Sequence, residues 1–405
     1  MARYFPNVNK RRGQVFPVEA GPDGAARAGR WRARLTGVLL LASVGFCCGA
    51  EFFPIGVWLQ DPTNAAAFRA AGINTYVGLW QGPTAQQLTT LQQAGLRVVC
   101  AQNHVALRHP ATTNILAWMH GDEPDNARTR GARLGFGSPV TPAQIQADYR
   151  ALKQNDPSRP VFLNLGQGVA WDGWYGRGRR NHHPEDYPEY VKGADLVSFD
   201  IYPANHDRPE IAGNLWYVAA GIERLRRWTR DEKPVWNCIE TTRIGASGRK
   251  PTPSEVRAEV WMSLIHGSRG IIYFAHQFGP PFVEAALLQD QEMLATITAV
   301  NRQITALAPV LNSPSRPDAV KIQCRNAAVP VAALAQTHAG FTYVCAVAMR
   351  PGTNTAQFTL TNPVDATSVE VIGENRTLPL AAGAFADHFG PWEVHLYRME
   401  SGAGR

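Results

Sequence analysis

Eight short apolar runs lie between residues 53 and 277, and segments with a helical pattern of apolar residues separate them. Strands that alternate with helices are typical of βα units, whose strands form a parallel sheet. Eight units over about 260 residues match the usual size of a closed (β/α)8 TIM barrel. An open doubly wound sheet is the alternative, disfavoured because no Gly-rich phosphate loop follows the first run. We predict a TIM barrel with strands at 53–59, 73–80, 96–103, 115–120, 160–166, 195–203, 234–240 and 270–277.

Helix start signals support this alternation of strands and helices. Thr84, Thr141 and Thr252 each stand where an N-cap is expected, with Gln or Glu three residues later. A threonine at the N-cap accepts a hydrogen bond from the backbone of the third helical residue, and Gln or Glu there returns one. Pro142 and Pro253 occupy the first helical position, where proline is tolerated.

The pattern changes near the C-terminus. An amphipathic stretch at 292–311 predicts the last barrel helix, and the alternating apolar residues of 315–400 predict short antiparallel strands. We therefore expect three parts: an N-terminal extension over 1–50, the barrel over 51–312, and a small antiparallel β-sandwich-like domain over 313–405.

The N-terminal extension has the pattern of a secretory signal. It holds eight basic residues against Glu19 and Asp23, so that most of the net charge of +7 belongs to it. The apolar run at 35–46 follows the basic residues and precedes small residues. This order predicts export, to a secreted or periplasmic location, without a membrane span in the mature chain; an uncleaved membrane anchor is the alternative. Because the remainder of the chain is almost neutral, nucleic acid is not expected as a partner.

Four cysteines follow the extension, and an exported protein lies in an oxidising compartment. Cys324 and Cys345 occupy neighbouring β-like segments and are predicted to form a disulfide. Cys100 and Cys238 fall on the third and seventh predicted strands, on opposite sides of a closed barrel, which is too far for a bridge. We expect these two to be buried free thiols.

Two glutamates lie at the predicted C-terminal ends of barrel strands, where TIM barrels carry their catalytic residues. Glu123 follows the fourth strand in "GDEPDN", and Glu240 ends the seventh strand in "WNCIETT". Both positions belong to the C-terminal rim, where the reacting groups of a TIM barrel gather. Two facing carboxyl groups suit glycoside cleavage, with one as general acid and the other as nucleophile or base. Each also has an ordinary interpretation: Glu123 as the acidic first turn of a helix, and Glu240 in an ion pair with Arg243.

These motifs, with "SFDIYP", resemble those of the clan A retaining glycoside hydrolases over residues 53–311. The resemblance implies a barrel in which Glu123 is the acid/base, Glu240 is the nucleophile, and Tyr202 donates a hydrogen bond to the nucleophile. The clan usually has Asn before its acid/base, whereas this chain has Asp122.

Sugar rings stack on aromatic side chains, and the loop at 166–190 after the fifth strand is long, aromatic and rich in glycine. It follows the rim residue Asn164. Ordinary packing is the alternative for each aromatic residue. The predicted substrate-binding residues are Asp122, Tyr202, Trp171, Trp174, Tyr175, Asn164, Trp80 and His276. The same loop carries basic residues that would suit an acidic glycan or a solvated surface.

We therefore predict an exported retaining glycoside hydrolase that acts on an oligo- or polysaccharide and needs no cofactor. A non-catalytic glycan-binding protein on a degenerate barrel is the alternative. A metal-dependent hydrolase is disfavoured, because the first strand lacks the His-x-His that an amidohydrolase-like site uses. The sequence predicts no oligomeric state and no particular sugar.

Overall fold

The structure is a computed structural model, and it describes residues 51–402 except 111, 132–134, 246–248, 317 and 363–364. The predicted secretory signal over 1–50 lies outside the described residues, so export stays a prediction. Within the described ranges, no helix combines the length and the apolar character needed to cross a membrane.

Eight parallel strands close into a barrel in chain order, with the first strand paired to both the second and the eighth. Closure is seen in the register, where Ile55 lies opposite Ile271 and Gly56 opposite Thr75. The predicted TIM barrel is confirmed. Its strands are Ile55–Trp58, Thr75–Val77, Arg97–Cys100, Ile115–Met119, Val161–Leu165, Leu196–Asp200, Val235–Glu240 and Ile271–Phe274.

The predicted caps begin their helices. Thr84 and Thr252 form complete capping boxes, and Thr141 accepts from the backbone of Gln144 at 3.3 Å. A short hairpin, Thr129–Gly131 with Gly135–Phe136, is inserted after the fourth strand. The helices are Ala65–Ala70, Ala85–Gln93, His104–Arg108, Pro142–Asn155, Asp186–Tyr190, Tyr217–Thr229, Pro253–Ile265, Ala286–Gln289, Gln291–Ala306 and Ala308–Leu311, with 3-10 turns at Pro62–Asn64, Thr112–Asn114, Gln167–Val169 and Val191–Gly193.

Side chains alternate between the barrel interior and the surrounding helices along each strand. In the seventh strand, Trp236 and Cys238 join the interior cluster, whereas Val235 and Ile239 pack towards the helices. Both faces are buried, which explains why this strand reads as a nearly continuous apolar run.

Two antiparallel sheets follow the barrel and confirm the predicted antiparallel β-domain. They enclose a core in which Phe358 stacks on Phe385 with ring centres 4.8 Å apart. One sheet contains Val320–Cys324, Asn354–Leu360 and Ala384–Phe389, and the other contains Val331–His338, Phe341–Ala348, Val394–Glu400, Ser368–Val371 and Arg376–Pro379.

The outer face of the five-stranded sheet packs on the barrel. Cys345, Val347 and Leu396 belong to the same apolar core as the helix Pro253–Ile265. Arg257 of that helix donates from Nη1 to the carbonyl of Val394 at 3.0 Å. The β-domain therefore covers a helical side of the barrel and contributes no residue to the lining of the cavity described below.

Of the two predictions for the cysteines, one is confirmed and the other is wrong. Cys100 and Cys238 are buried free thiols, as expected. The predicted disulfide between Cys324 and Cys345 is wrong, because both are free thiols. The reason is that their strands lie in different sheets: Cys345 packs against the barrel, whereas Cys324 packs against the core of the β-domain. Neighbouring segments in sequence do not imply neighbouring side chains in a two-sheet domain.

Candidate active site

A cavity of about 870 Å³ opens where the barrel strands end. Such a volume is within the usual range for a ligand pocket, and this end of the barrel carries the sites of TIM-barrel enzymes. Loops after five consecutive strands supply its walls, including Glu123 after the fourth strand, Trp171 and Trp174 after the fifth, Asp200 at the end of the sixth, Arg243 after the seventh and Phe278 after the eighth.

Two carboxyl groups in this cavity contact one another. The side chain of Asp200 forms a hydrogen bond with that of Glu123. Burial raises the pKa of Asp200 well above its usual value, and the adjacent Glu123 raises it further. A hydrogen bond between two carboxyl groups requires a proton, because two carboxylates this close repel each other. The raised pKa of Asp200 favours a proton on this residue, so the two neighbouring carboxyl groups can supply both an acid and an anion.

The backbone around Glu123 is fixed in an unusual conformation. Its φ of +43° lies in the left-handed region, which a non-glycine residue rarely adopts. Its N–H donates to the carbonyl of Asn164 at 3.1 Å, and its carbonyl accepts from Asn126 at 2.9 Å. These bonds tie the loop to the end of the fifth strand, so that the strained conformation persists and directs the carboxyl group into the cavity.

Asn164 organises the carboxyl groups from below. Its Nδ2 donates to Oδ1 of Asp122 at 3.0 Å and to Oδ1 of Asp200 at 3.4 Å. Its Oδ1 accepts from the hydroxyl of Ser198 at 2.6 Å, which orients the amide. Burial of its carboxyl group, with the nearby Glu123, raises the pKa of Asp122 to about 7. The Asn164 amide thus links Asp122 to Asp200 and supports both carboxyl groups.

Asp125 has a structural role in the same loop. Its carboxyl oxygens accept from the backbone of Gly166 at 3.0 Å and from the hydroxyl of Tyr187 at 2.8 Å. A Cβ on Gly166 would lie 2.6 Å from the Asn126 amide and 2.9 Å from Asp125, so only glycine fits there. Asp125 therefore fastens the loop after the fourth strand to the loop after the fifth.

Glu240 is placed differently from the sequence expectation. It is fully buried and does not line the cavity. The loop after the sixth strand crosses over it, and its carboxylate accepts from the backbone of Ala204 at 2.5 Å, from that of Asn205 at 2.8 Å and from the Asn205 side chain. Glu240 is therefore not among the residues that line the cavity with Glu123.

Behind Glu240 lies Glu259, on the helix Pro253–Ile265, and the two carboxyl groups are close enough to shift each other's pKa. Burial raises the pKa of Glu240 to about 7 although Asn205 and Ala204 act to lower it. Burial and Glu240 raise the pKa of Glu259 well above its usual value. This second pair is sealed from solvent, since both residues are 0% exposed.

The predicted aromatic residues separate into two groups. Trp171, Trp174 and Tyr202 line the cavity, and Nε1 of Trp174 donates to Oδ1 of Asn126 at 3.2 Å. Tyr202 is 5% exposed, and its pKa is raised by burial and then by Asp200, which lies nearby. Its neighbour in the cavity is thus Asp200, where the resemblance had implied Glu240.

Three other predicted residues lie outside the lining. Tyr175 packs edge-on against Tyr187 with ring centres 6.4 Å apart, and Trp80 accepts from Gln87 through its carbonyl at 2.9 Å. His276 is 1% exposed, and burial lowers its pKa to about 4. The adjacent Phe278 takes the cavity position instead.

Sequence reasoning missed several lining residues: Asp200, Asn205, His206, Arg243 and Phe278. A usable signal existed for Asp200, the acidic last residue of a buried strand in "SFDIYP". For the loop residues there was none, because their direction depends on how the loops fold over one another. Within the part of the chain that the structure describes, no group of three or more His, Cys, Asp or Glu side chains could hold a metal ion.

No protein-family model matches this chain, and no curated protein matches it. Solved structures with a similar fold include a putative α-galactosidase/melibiase from Bacteroides fragilis, with a TM-score of 0.54 and 10% identity over 87% of this chain and 80% of that one. Another putative α-galactosidase from the same organism has a TM-score of 0.53 and 9% identity over 87% and 81% of the two chains. The α-amylase from Geobacillus thermoleovorans, complexed with acarbose, has a TM-score of 0.50 and 10% identity over 87% and 99%.

The matched share of this chain is larger than the barrel alone, so the likeness includes part of the β-domain. The predicted resemblance to barrel glycoside hydrolases is confirmed for the fold. Identity near 10% leaves the residues of the site to be argued from their own geometry.

Proposed function

We propose that this protein is a glycoside hydrolase that works by a retaining double displacement at the Glu123–Asp200 pair. The observation that carries the proposal is that these two neighbouring carboxyl groups line one open cavity at the C-terminal end of the barrel strands, where burial and Glu123 raise the pKa of Asp200. The glycosidase fold and the two lining tryptophans support a saccharide as the substrate.

The depth of each residue assigns the roles. Asp200 is 8% exposed and lies against Asn164 and Tyr202, whereas Glu123 is more exposed, on the loop above. The deep carboxylate reaches the anomeric carbon of a sugar held in the barrel mouth, and Glu123 faces the leaving group on the open side. Asp200 thus takes the nucleophile role that the sequence had assigned to Glu240.

In the first step, the proton held by the buried Asp200 in the resting pair moves to Glu123 as the substrate binds, and Glu123 passes it to the glycosidic oxygen as the bond from that oxygen to the anomeric carbon breaks. Asp200 attacks that carbon and forms a glycosyl ester. In the second step, Glu123 removes a proton from water, the water oxygen bonds to the anomeric carbon, and the ester bond breaks to release Asp200. Asn164 orients Asp200 for its attack by donating from its Nδ2 to Oδ1 of Asp200 at 3.4 Å.

The short separation favours retention over inversion. Retaining enzymes have carboxyl groups about 5–5.5 Å apart, and inverting ones need about 6.5–9.5 Å to admit a water molecule. Neighbouring carboxyl groups such as Glu123 and Asp200 are nearer to the retaining separation than to the inverting one, which supports the retaining assignment.

A panel of aryl glycosides and polysaccharides tests the activity, and NMR of the first-formed product tests the stereochemistry. We expect turnover of at least one member with retention of configuration, and loss of that turnover in Glu123→Gln. An inverted first product would contradict the double displacement. Export is proposed as well, and N-terminal sequencing of secreted protein should find a start near Glu51 rather than at Met1.

A non-catalytic glycan-binding protein is the second candidate, and the sealed position of Glu240 favours it. If catalysis required a nucleophile on the seventh strand, this barrel would lack one in its cavity. Binding of a glycan without turnover by the wild-type protein would establish this alternative.

A further inference from the structure

Both acidic and basic side chains line the cavity. Glu123 and Asp200 come from the fourth and sixth strands, whereas guanidinium groups come from the loops after the fifth, sixth and seventh: Arg177, Arg208 and Arg243. Among the described residues, none of these three arginines has an ion-pair partner. Other arginines near this end are neutralised, as in Arg180 with Asp186 at 2.6 Å and Arg224 with Asp172 at 2.6 Å.

Arg177 is held in place by a hydrogen bond, an aromatic contact and two flanking glycines. Its Nε donates to the carbonyl of Ala127 at 3.0 Å, and its guanidinium lies 5.2 Å from the ring centre of Phe136. The glycines on either side, Gly176 and Gly178, have φ of +77° and +98°, and a Cβ on either would come within 2.4 Å of neighbouring atoms. The chain therefore fixes the position of Arg177, which lines the cavity.

The other two arginines stand on loops that are packed together. A Cβ on Gly245, two residues after Arg243, would lie 2.4 Å from the carbonyl oxygen of Asn205, so the two loops are in contact. Arg208 donates its backbone N–H to Nδ1 of His206 at 3.1 Å, and Nε2 of His206 then donates to Gln167 at 2.9 Å. Both ring nitrogens of this histidine are used, and burial lowers its pKa, so the positive charge of this wall comes from arginine.

Three carboxyl groups also line the cavity, but their negative charge does not fully neutralise the positive charge of the three arginines. Burial raises the pKa of Asp200 and thereby reduces its negative charge, so the three lining arginines are not fully balanced. An anion that enters the cavity thus meets arginine side chains whose forked N–H groups match a carboxylate or a sulfate.

We propose that the cavity selects an anionic oligosaccharide, whose uronate carboxylate or sulfate ester is bound by Arg177 and Arg243. This inference rests on the proposed function, because it names the substrate class of the same cavity. A neutral glycan would leave these guanidinium groups without a partner.

The test uses the Glu123→Gln variant, which should bind without turnover, on an array of uronate-containing, sulfated and neutral oligosaccharides. The tightest acidic ligand is then compared by calorimetry with its neutral counterpart, made by carboxyl reduction for a uronate and by desulfation for a sulfate ester. We expect the acidic form to bind at least about tenfold more tightly, as charge-assisted hydrogen bonds allow, with a difference that shrinks as salt is added.

In the same background, Arg177→Gln and Arg243→Gln should each remove most of that difference while changing the affinity for the neutral form less than about twofold. Arg179→Gln is the matched control, because Arg179 is exposed on the same loop and does not line the cavity. Arg243 is exposed, so its variant should fold even if that of Arg177 does not.

Binding of neutral glycans only, binding of no acidic glycan, or unchanged selectivity in both arginine variants would overturn the inference. The outcome is separable from the proposed function. An acidic preference without wild-type turnover would contradict the hydrolase alone, and wild-type turnover of a neutral glycan with no acidic preference would contradict the acidic specificity alone.

Discussion

Two pairs of carboxyl groups lie near the C-terminal end of this barrel, and they differ in what surrounds them. Glu123 and Asp200 contact one another in an open cavity. Glu240 and Glu259 contact one another behind the seventh strand, where neither is accessible to solvent. In each pair burial raises the pKa of at least one member, so a proton on one member is favoured in both.

The difference lies in the remaining hydrogen bonds. The cavity pair has the Asn164 amide beneath it and space above it. In the sealed pair, the Glu240 carboxyl group accepts hydrogen bonds from Ala204 and Asn205, whereas neither oxygen of Glu259 has a hydrogen-bond partner among the described residues. A carboxyl group with a raised pKa is therefore a candidate catalytic residue only when it is also accessible to a substrate. We assign catalysis to the Glu123–Asp200 pair. The Glu240–Glu259 pair instead anchors the loop that follows the sixth strand.

The largest expected effect concerns Glu123. Glu123→Ala should reduce kcat on glycosides with poor leaving groups by about 10²–10⁴-fold, which is the usual contribution of a general acid. Activated aryl glycosides need little protonation, so they should lose less activity, and azide should restore part of the rate by forming a glycosyl azide. Steady-state kinetics with both classes of leaving group checks this. Equal losses on both classes would contradict the acid/base role.

Glu240→Ala should act on stability. It leaves the N–H groups of Ala204 and Asn205 buried without an acceptor, which costs roughly 1–3 kcal/mol for each group. We expect the free energy of unfolding, measured in urea, to fall by about 3 kcal/mol. Glu240→Gln keeps an acceptor oxygen and should lose less, so it is the matched control. A stability equal to that of the wild type in Glu240→Ala would refute the anchoring role.

The sealed pair should also make stability depend on pH. In the unfolded chain a glutamate titrates near pH 4.3, whereas the folded pKa of Glu240 is about 7. Between these values the folded state binds more protons, so the contribution is complete below about pH 4 and is lost as pH rises towards 7. The free energy of unfolding of the wild type should therefore fall relative to that of Glu240→Gln, by on the order of 2 kcal/mol between pH 4.5 and 7.5. Urea unfolding of both proteins at several pH values checks this, and parallel curves would contradict it.

The smallest effect distinguishes two aromatic residues of one loop. Trp174 lines the cavity, and its neighbour Tyr175 packs on Tyr187 outside it. Trp174→Ala should raise KM by about tenfold through the loss of one stacking face, and Tyr175→Ala should change it by less than about twofold. Steady-state kinetics of both variants on one oligosaccharide checks this. Equal changes in KM for the two variants would refute the assignment.

The fold was accessible from the sequence because each strand is an apolar run buried on both faces, and because Thr84, Thr141 and Thr252 mark helix starts. Strand order also placed Glu123, Trp171 and Trp174 at the correct rim. The direction of Glu240 was not accessible. It depends on the loop that crosses it and on Glu259, which is distant in sequence. The same limitation applied to Cys324 and Cys345, whose sheets could not be assigned from their spacing.

The central claim is that the nucleophile is Asp200 on the sixth strand and that Glu240 on the seventh is structural. Its most direct measurement is the kcat of Asp200→Asn beside that of Glu240→Gln, on the same activated aryl glycoside and at a temperature where both variants are folded. We predict that Asp200→Asn loses turnover by at least about 10³-fold while Glu240→Gln keeps more than about a tenth of the wild-type rate. Loss of turnover in Glu240→Gln, with activity preserved in Asp200→Asn, would contradict the account.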